Sequence, residues 1–448
     1  MLFKIEPPSS TDRLLTLCRV QQALFRWAAE VDNTEDDLGT CRAWLIDTAR
    51  SDFDAEQAEA IFSWVMNAEP RQKALLAFAR QGDTEFKKAW VARIEDEGKR
   101  FGDSRSGRFI PLEKVEEGDA SYKVQTAGKT LLLLFYEEFR KGGLTLKFSG
   151  QKKSYSSQDF LADFRVANKG LVLCSFCQVN AYATIGKNDK GKTHVYTDLD
   201  HYLPKSLYPH LSIHPYNLIP TCHACNSWRK GDIDPLINPI DKSRLELQEI
   251  WLPYHSSGIG RDIFVTLGPY KIINSNKQDC ASSYQLTFDG FEVRPVVRDG
   301  AAIPEVDQED VRPHSIEQLK MWIELWDHIY KPRDTWNANA HLIGETLFRR
   351  IREFSHFFPA NDAENIADKI SPFLDELVYY LDHEDVHREP YAMPMLWWLA
   401  KMLMEVADQR DQYFADELKK WYGAGLRDAV VRRLYGERVR GLLKQDQK

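Results

Sequence analysis

Residues 194–231 read HVYTDLDHYLPKSLYPHLSIHPYNLIPTCHACNSWRKG, and a short way upstream stands Leu173-Cys174-Ser175-Phe176-Cys177. Val195, Thr197 and Leu199 alternate with Tyr196, Asp198 and Asp200, which is the two-residue period of a strand. Neighbouring side chains on a regular strand face opposite ways. Asp200 and His201 can therefore converge only where the strand ends, and Pro204 helps to end it. Residues 217–221 read as the returning strand, and residues 226–230 as the start of a helix. Strand, loop, strand and helix then gather His201, Asp200 and Asn226 in one cleft.

Of seven cysteines, Cys18, Cys41 and Cys280 stand alone, while Cys174/Cys177 and Cys222/Cys225 form two C-x-x-C pairs. Chance placement at this composition gives roughly 0.1 such pairs. Zn²⁺ takes four thiolates in a tetrahedron, and a tight knuckle supplies two adjacent corners from each pair. Such a site leaves no position for water, so the zinc is expected to hold structure rather than catalyse. A redox disulfide is the other reading of a C-x-x-C motif, but it applies to a lone pair.

Phosphodiester hydrolysis needs an activated water, neutralisation of phosphate charge and stabilisation of the leaving oxygen. His201 is the candidate general base, because neutral imidazole accepts a proton near pH 7. Asp200 and Asn226 offer oxygen ligands suited to a hard ion, Mg²⁺ or Mn²⁺. Lys205, Arg229 and Lys230 are candidate phosphate contacts. Asp198, two residues before Asp200, reads as a solvated strand residue or a supporting group, and His223 as an exposed knuckle residue. His194, His210 and His214 read as surface or packing groups. Lys187, Lys190 and Lys192 fall in a polar turn. Trp228 reads as core or as a base-stacking ring.

The order D-H-x-x-P-x-S, N-L, then C-x-x-C-N-x-x-x-K-G resembles the HNH endonucleases, a branch of the ββα-metal (His-Me finger) nucleases. The likeness covers 58 of the 448 residues, from Cys174 to Gly231. It implies that Asn217 holds the catalytic histidine in orientation, so the catalytic set becomes His201, Asp200, Asn217 and Asn226. The third letter of the family name falls on Asn226 in place of histidine, which favours Mg²⁺ over softer metals. The resemblance further implies DNA as substrate, with RNA as the other choice. It also implies an effector role in prokaryotic anti-phage defence, restriction or mobile elements, in some systems beside an ATPase partner. The contrasting function is a zinc-stabilised nucleic-acid-binding or scaffold module without catalysis. A metal-dependent hydrolase of another substrate has only the metal ligands in its favour.

The flanks are helical in pattern. Leu14, Leu17, Val20 and Leu24 begin a periodicity that runs over residues 12–100, closed by the Gly/Ser/Arg stretch EGKRFGDSRSGRF read as a linker. Residues 130–140 form one more helix, and another starts near Ser157. IFVTL, YQLTF and FEVRPVV are strand-like, with Asp289-Gly290 between the last two as a hairpin signal. From Ser315 on the chain is helical again, with Trp322, Leu325 and Trp326 on one face and MLWWLAKMLMEV central to a bundle. The tail RRLYGERVRGLLK reads as a solvated helix face. The expected class is α+β: mainly helical N- and C-terminal regions flank a ββα-metal domain, followed by a small β-rich segment. The expected domains are 1–110 (helical), 111–250 (nuclease with leading helices), 251–310 (β-rich) and 311–448 (helical).

The chain carries 59 basic and 67 acidic residues, a net charge of −8. Residues 140–230 hold 13 Lys and Arg against five Asp and no Glu, a local +8, so the remainder carries −16. The basic excess sits where phosphate is expected, and the acidic flanks suit partner binding or restraint of the nuclease. No run approaches the ~20 apolar residues of a membrane span. The N-terminal MLFKIEPPSSTDR has no basic start before an apolar segment, so a cytoplasmic protein is expected.

Overall fold

The computed structural model describes residues 5–31, 38–47, 53–81, 83–112, 120–141, 154–168, 173–177, 179, 185–187, 193–195, 197–256, 263–267, 271–272, 284–285, 287–293, 315–357, 394–395 and 398–399. The fold is α+β, mostly helical with small antiparallel two-stranded sheets. Backbone contacts divide it into two units, one formed from residues 5–169 and 182–254, the other from residues 170–181 and from 255 onward.

The first unit opens with five helices, α1 (Thr11–Glu30), α2 (Gly39–Asp47), α3 (Ala55–Met66), α4 (Glu69–Ala79) and α5 (Thr84–Gly102). Leu14, Leu17, Val20 and Leu24 of α1 are all buried, as their spacing requires. Asp54 and Gln57 form a capping box at the start of α3, and Asp83 caps α5. Buried Lys87 donates to the carbonyls of Ala28 (3.2 Å) and Ala79 (2.6 Å), near the C-termini of α1 and α4, where a cation meets the negative helix end.

Helix α6 (Ala120–Lys141) and helix α7 (Ser157–Ala167) follow, the latter with its own Ser156/Asp159 capping box. Helix α6 lies against an aromatic cluster in which Phe25, Phe78 and Trp90 sit 4.9–5.3 Å apart, centroid to centroid. Gly128 makes that approach possible. A Cβ there would stand 2.7 Å from Trp90 Cη2 and 3.2 Å from Phe78 Cδ2.

The stretch read as a linker is packed instead. Helix α5 continues to Gly102, and Glu97, Phe101 and Phe109 are buried. Gly107 (φ +88°) turns the chain while its N–H and C=O bond Gln248 and Leu247. Glu97 meets His210 at 2.9 Å and Arg93 at 3.0 Å. Small and charged residues suggested exposure there, but the apolar and paired side chains between them supply core contacts.

Strand β1 (Ile185–Lys187) pairs antiparallel with β2 (Thr193–Val195), and β3 (Asp198–His201) with β4 (Leu218–Thr221). The strand expected over residues 195–200 is thus two strands with different partners. Leu199 and Leu218 pack against the helical core. The helix expected at residues 226–230 is present as a π-type helix, Ala224–Lys230, ended by Gly231 (φ +49°).

In the second unit β5 (Ile263–Leu267) pairs with β8 (Phe288–Val293), and β6 (Lys271–Ile272) with β7 (Tyr284–Gln285). The turn expected at Asp289-Gly290 does not form. Both residues lie inside β8, Gly290 opposite Thr266 and Asp289 at the register shift before the Leu267–Phe288 pair, and Gly290 lacks the positive φ of a tight hairpin turn. Helices α8 (Ile316–Tyr330), α9 (Pro332–Ala338) and α10 (Ala340–Phe357) bury Trp322, Trp326 and Trp336. Of MLWWLAKMLMEV, Met395, Trp398 and Leu399 are buried, and the rest lies outside the described residues, as does RRLYGERVRGLLK. No described helix is long and apolar enough to cross a membrane.

Gly128→Ala sets a helix-propensity gain of ~1 kcal/mol against overpacking of ~1–3 kcal/mol. The expected net is a loss of stability of about 0–2 kcal/mol, read by denaturant titration; a more stable variant would contradict the packing described. Burial alone would push the Glu97 carboxyl up, but His210 and Arg93 hold it below the ordinary 4.5. Its contribution to stability is therefore complete above pH 4.5 and fades as pH falls through the lowered value. The stability gap between wild type and Glu97→Gln should accordingly shrink in acid, and a gap that widens there would reverse the sign.

Candidate functional site

Strand β3 is two-faced, and its sequence places unlike groups on either side. Leu199 and His201 turn toward α6, and Asp198 and Asp200 toward the helix Ala224–Lys230. The strand ends at His201, and the His201 ring lies on the face opposite the Asp200 carboxylate, so the single cleft expected from the sequence is divided by the strand.

The loop from β3 to β4 is tied at its neck by Asn217. Its Oδ1 accepts from Leu203 N–H (2.7 Å), and its Nδ2 donates to the carbonyls of Leu203 (3.0 Å) and Leu211 (3.1 Å). Its backbone carbonyl accepts from Tyr202 N–H at 2.9 Å. Within this loop the Ser212 carbonyl lies 3.0 Å from His201 Nε2. A carbonyl only accepts, so Nε2 carries the hydrogen and Nδ1 of the neutral ring is left with its lone pair. Burial, assisted by Lys205 and Lys230, pushes the His201 pKa down to about 3, so the imidazole is neutral at physiological pH. Tyr136 of α6 covers the ring edge-on, centroids 4.4 Å apart. Burial, together with smaller contributions that include Asp200 and Asp198, raises the Tyr136 phenol to about 12.

Asp200 is buried, and its Oδ1 accepts from Lys230 Nζ at 3.1 Å. The same ammonium donates to the His201 carbonyl at 2.6 Å, clasping both residues of the motif. Burial, offset by Lys230, raises the Asp200 pKa to about 6. Its Oδ2 is buried with no hydrogen-bond partner among the described residues. An orphaned carboxylate oxygen fits an oxygen-seeking divalent cation, which would supply the missing partner. Asn226 turns to Asp198 instead: its Nδ2 donates to Asp198 Oδ2 (3.0 Å), which also meets His223 Nδ1 at 2.8 Å. Asp198 and Asn226 thus form a second oxygen-bearing group on the face that holds Asp200.

The expected phosphate contacts divide. Lys205 is half-buried with its ammonium 4.3 Å over the Tyr136 ring, a cation–π contact. Lys230 is buried and clasps Asp200. Arg229 Nη1 donates to Cys225 Sγ at 3.2 Å. His210 and His214 are packing groups, as expected: His210 faces Glu97, and His214 stands edge-on to Phe101 at 5.1 Å. Lys190 and Lys192 lie outside the described residues. Two participants escaped the sequence, the Tyr136 ring and the Ser212 carbonyl. Tyr136 sits in an ordinary apolar helical pattern far upstream, and a backbone carbonyl has no residue signature.

The thiols of Cys174, Cys177, Cys222 and Cys225 are buried and lie within 4.8 Å of one another. A tetrahedron with Zn–S bonds of about 2.3 Å needs sulfurs about 3.8 Å apart, so the four cysteines fit zinc. Elemental analysis is expected to find one zinc per chain. Cys222→Ser should lose the metal and lower the unfolding temperature. A metal-free wild type of unchanged stability would contradict this.

No family model matches the chain, and no solved structure matches it. Two curated proteins share short segments with it. Protein ea31 of Escherichia phage lambda is 31% identical over 85 residues, 18% of this chain and 24% of that protein. The Septu protein PtuB of Bacillus thuringiensis is 44% identical over 48 residues, 10% of this chain and 18% of that protein. The chain thus spans about a quarter or less of the relatives it matches, a likeness of segments rather than of whole proteins.

Proposed function

We propose that this chain is an HNH-type endonuclease that hydrolyses phosphodiester bonds of DNA, with His201 as general base and one Mg²⁺ or Mn²⁺ ion. The observation that supports it most is the state of His201. The ring is neutral, its Nε2–H is spent on the Ser212 carbonyl, and Nδ1 remains to take a proton from water. As the imidazolium forms, that carbonyl stabilises it. The phosphodiester itself would oppose the positive field of Lys205 and Lys230 and raise the His201 pKa toward the working range of a base. Asn217 acts through the loop as a positioning residue. Asp200, with Asn226 and Asp198 on the same face, would hold the cation, which supplies charge neutralisation at the scissile phosphate. Lys205 and Arg229, cations beside the site, would contact the substrate backbone.

The resemblance to HNH nucleases, and the segment shared with the Septu protein PtuB, support a wider role as an effector in anti-phage defence working with a protein partner such as an ATPase. That role rests on likeness of short segments.

A second reading has its own observation. The His201 ring lies under Tyr136, and Asp200 is already paired with Lys230, as in a zinc-stabilised binding module without catalysis. Plasmid nicking with Mg²⁺ or Mn²⁺ separates the two. Wild type should convert supercoiled DNA to open circles, and His201→Ala should fall by at least ~10²-fold with zinc content and circular dichroism unchanged. No cutting of DNA or RNA by wild type with either ion, or equal cutting by the variant, would rule out the catalytic reading. Salt-dependent binding indifferent to His201→Ala would favour the module.

A further inference from the structure

We propose that Trp228 is a stacking platform for an unpaired base of the strand brought to this site, which makes a single-stranded or locally unstacked nucleic acid the substrate class. The inference rests on the nuclease reading above. Trp228 is 78% exposed, more than any other large apolar side chain among the described residues. A single exposed apolar residue is ordinary on a protein surface, so exposure alone carries nothing.

Three placements give it meaning. Trp228 belongs to the same short helix as Asn226, two residues further on. The His223 ring meets it edge-on, centroids 5.7 Å apart, and His223 is itself held by Asp198, which also holds Asn226. A chain of contacts thus ties the indole to the candidate ligands. The third is charge. Residues 140–230 carry a net +8, and Arg229 follows Trp228 directly, so an anionic occupant is favoured over an acidic-poor protein face. An aromatic face beside a cationic surface is the arrangement that binds unstacked bases without regard to sequence. Paired bases inside a duplex offer no such face, so the occupant must be unpaired or turned out of its stack.

The test is a double-mutant cycle in full-length protein carrying His201→Ala, with affinity read by fluorescence anisotropy. The probes are a single-stranded oligodeoxynucleotide and the same length of abasic strand. Because Trp228 is so exposed, Trp228→Ala is expected to leave the unfolding temperature unchanged. It should weaken binding of the normal strand by about 5- to 150-fold, the span of one aromatic–base stack. Trp228→Phe should recover most of that loss, and the abasic strand should bind both proteins alike. Equal losses on the two strands would overturn the proposal by placing the ring on backbone or elsewhere. So would no loss on either, or a Trp228-dependent self-association in sedimentation, which would give the ring to a second copy of the chain. Coupling to the bases in a wild type that cuts nothing would leave the platform standing and remove the nuclease reading. Cutting without coupling would do the reverse.

Discussion

Asn217 spans the neck of the loop between β3 and β4, and the geometry of His201 depends on that span. A buried amide left without partners would lose ~1–3 kcal/mol per unsatisfied group, and here both ends of the amide are used, on Leu203 and Leu211. The bonds fix residues on both sides of the loop relative to the strand end. The Ser212 carbonyl is carried by that loop and sets which ring nitrogen of His201 bears the hydrogen. One asparagine thus ties Leu203 to Leu211, beside the carbonyl that meets an imidazole sixteen residues before that asparagine.

On the other face of β3 the constraint is electrostatic. A buried ion pair loses hydration on both partners and adds little net stability. The Asp200–Lys230 pair is better understood as a positional device. Lys230 closes the short helix onto the strand and holds the carboxylate and the His201 carbonyl at once. It leaves one carboxylate oxygen unsatisfied, next to a second cluster in which Asp198 collects His223 and Asn226. Two carboxylates and an amide thus lie on one face, with one buried oxygen unspent.

Much of this was legible in the sequence because it depends on local period and on rigid chemistry. The alternation at residues 195–200 gave the strand face shared by Asp198 and Asp200, and the cysteine spacing gave a cluster that the fold gathers. Where several local signals were read as loops, tertiary packing decided otherwise. Asp-Gly is a strong turn signal, yet Asp289 and Gly290 run through β8, which pairs along β5. The Gly/Ser/Arg stretch at the end of α5 looked like a linker, but its first six residues continue the helix, and Glu97, Phe101 and Phe109 within it are buried. The Tyr136 lid and the division of labour between Asp198 and Asp200 are products of packing between α6, β3 and the π-type helix. No single segment encodes them.

The central physical claim is that the end of β3 presents a neutral imidazole, hydrogen on Nε2 and lone pair on Nδ1. Nitrogen NMR of protein labelled in its histidine rings reads this directly. At pH 7 the His201 signals should show a protonated Nε2 and an unprotonated Nδ1, persisting as the pH is lowered well past the titration of an ordinary histidine. A His201 that carries its hydrogen on Nδ1, or that is already charged at pH 7, would contradict the account.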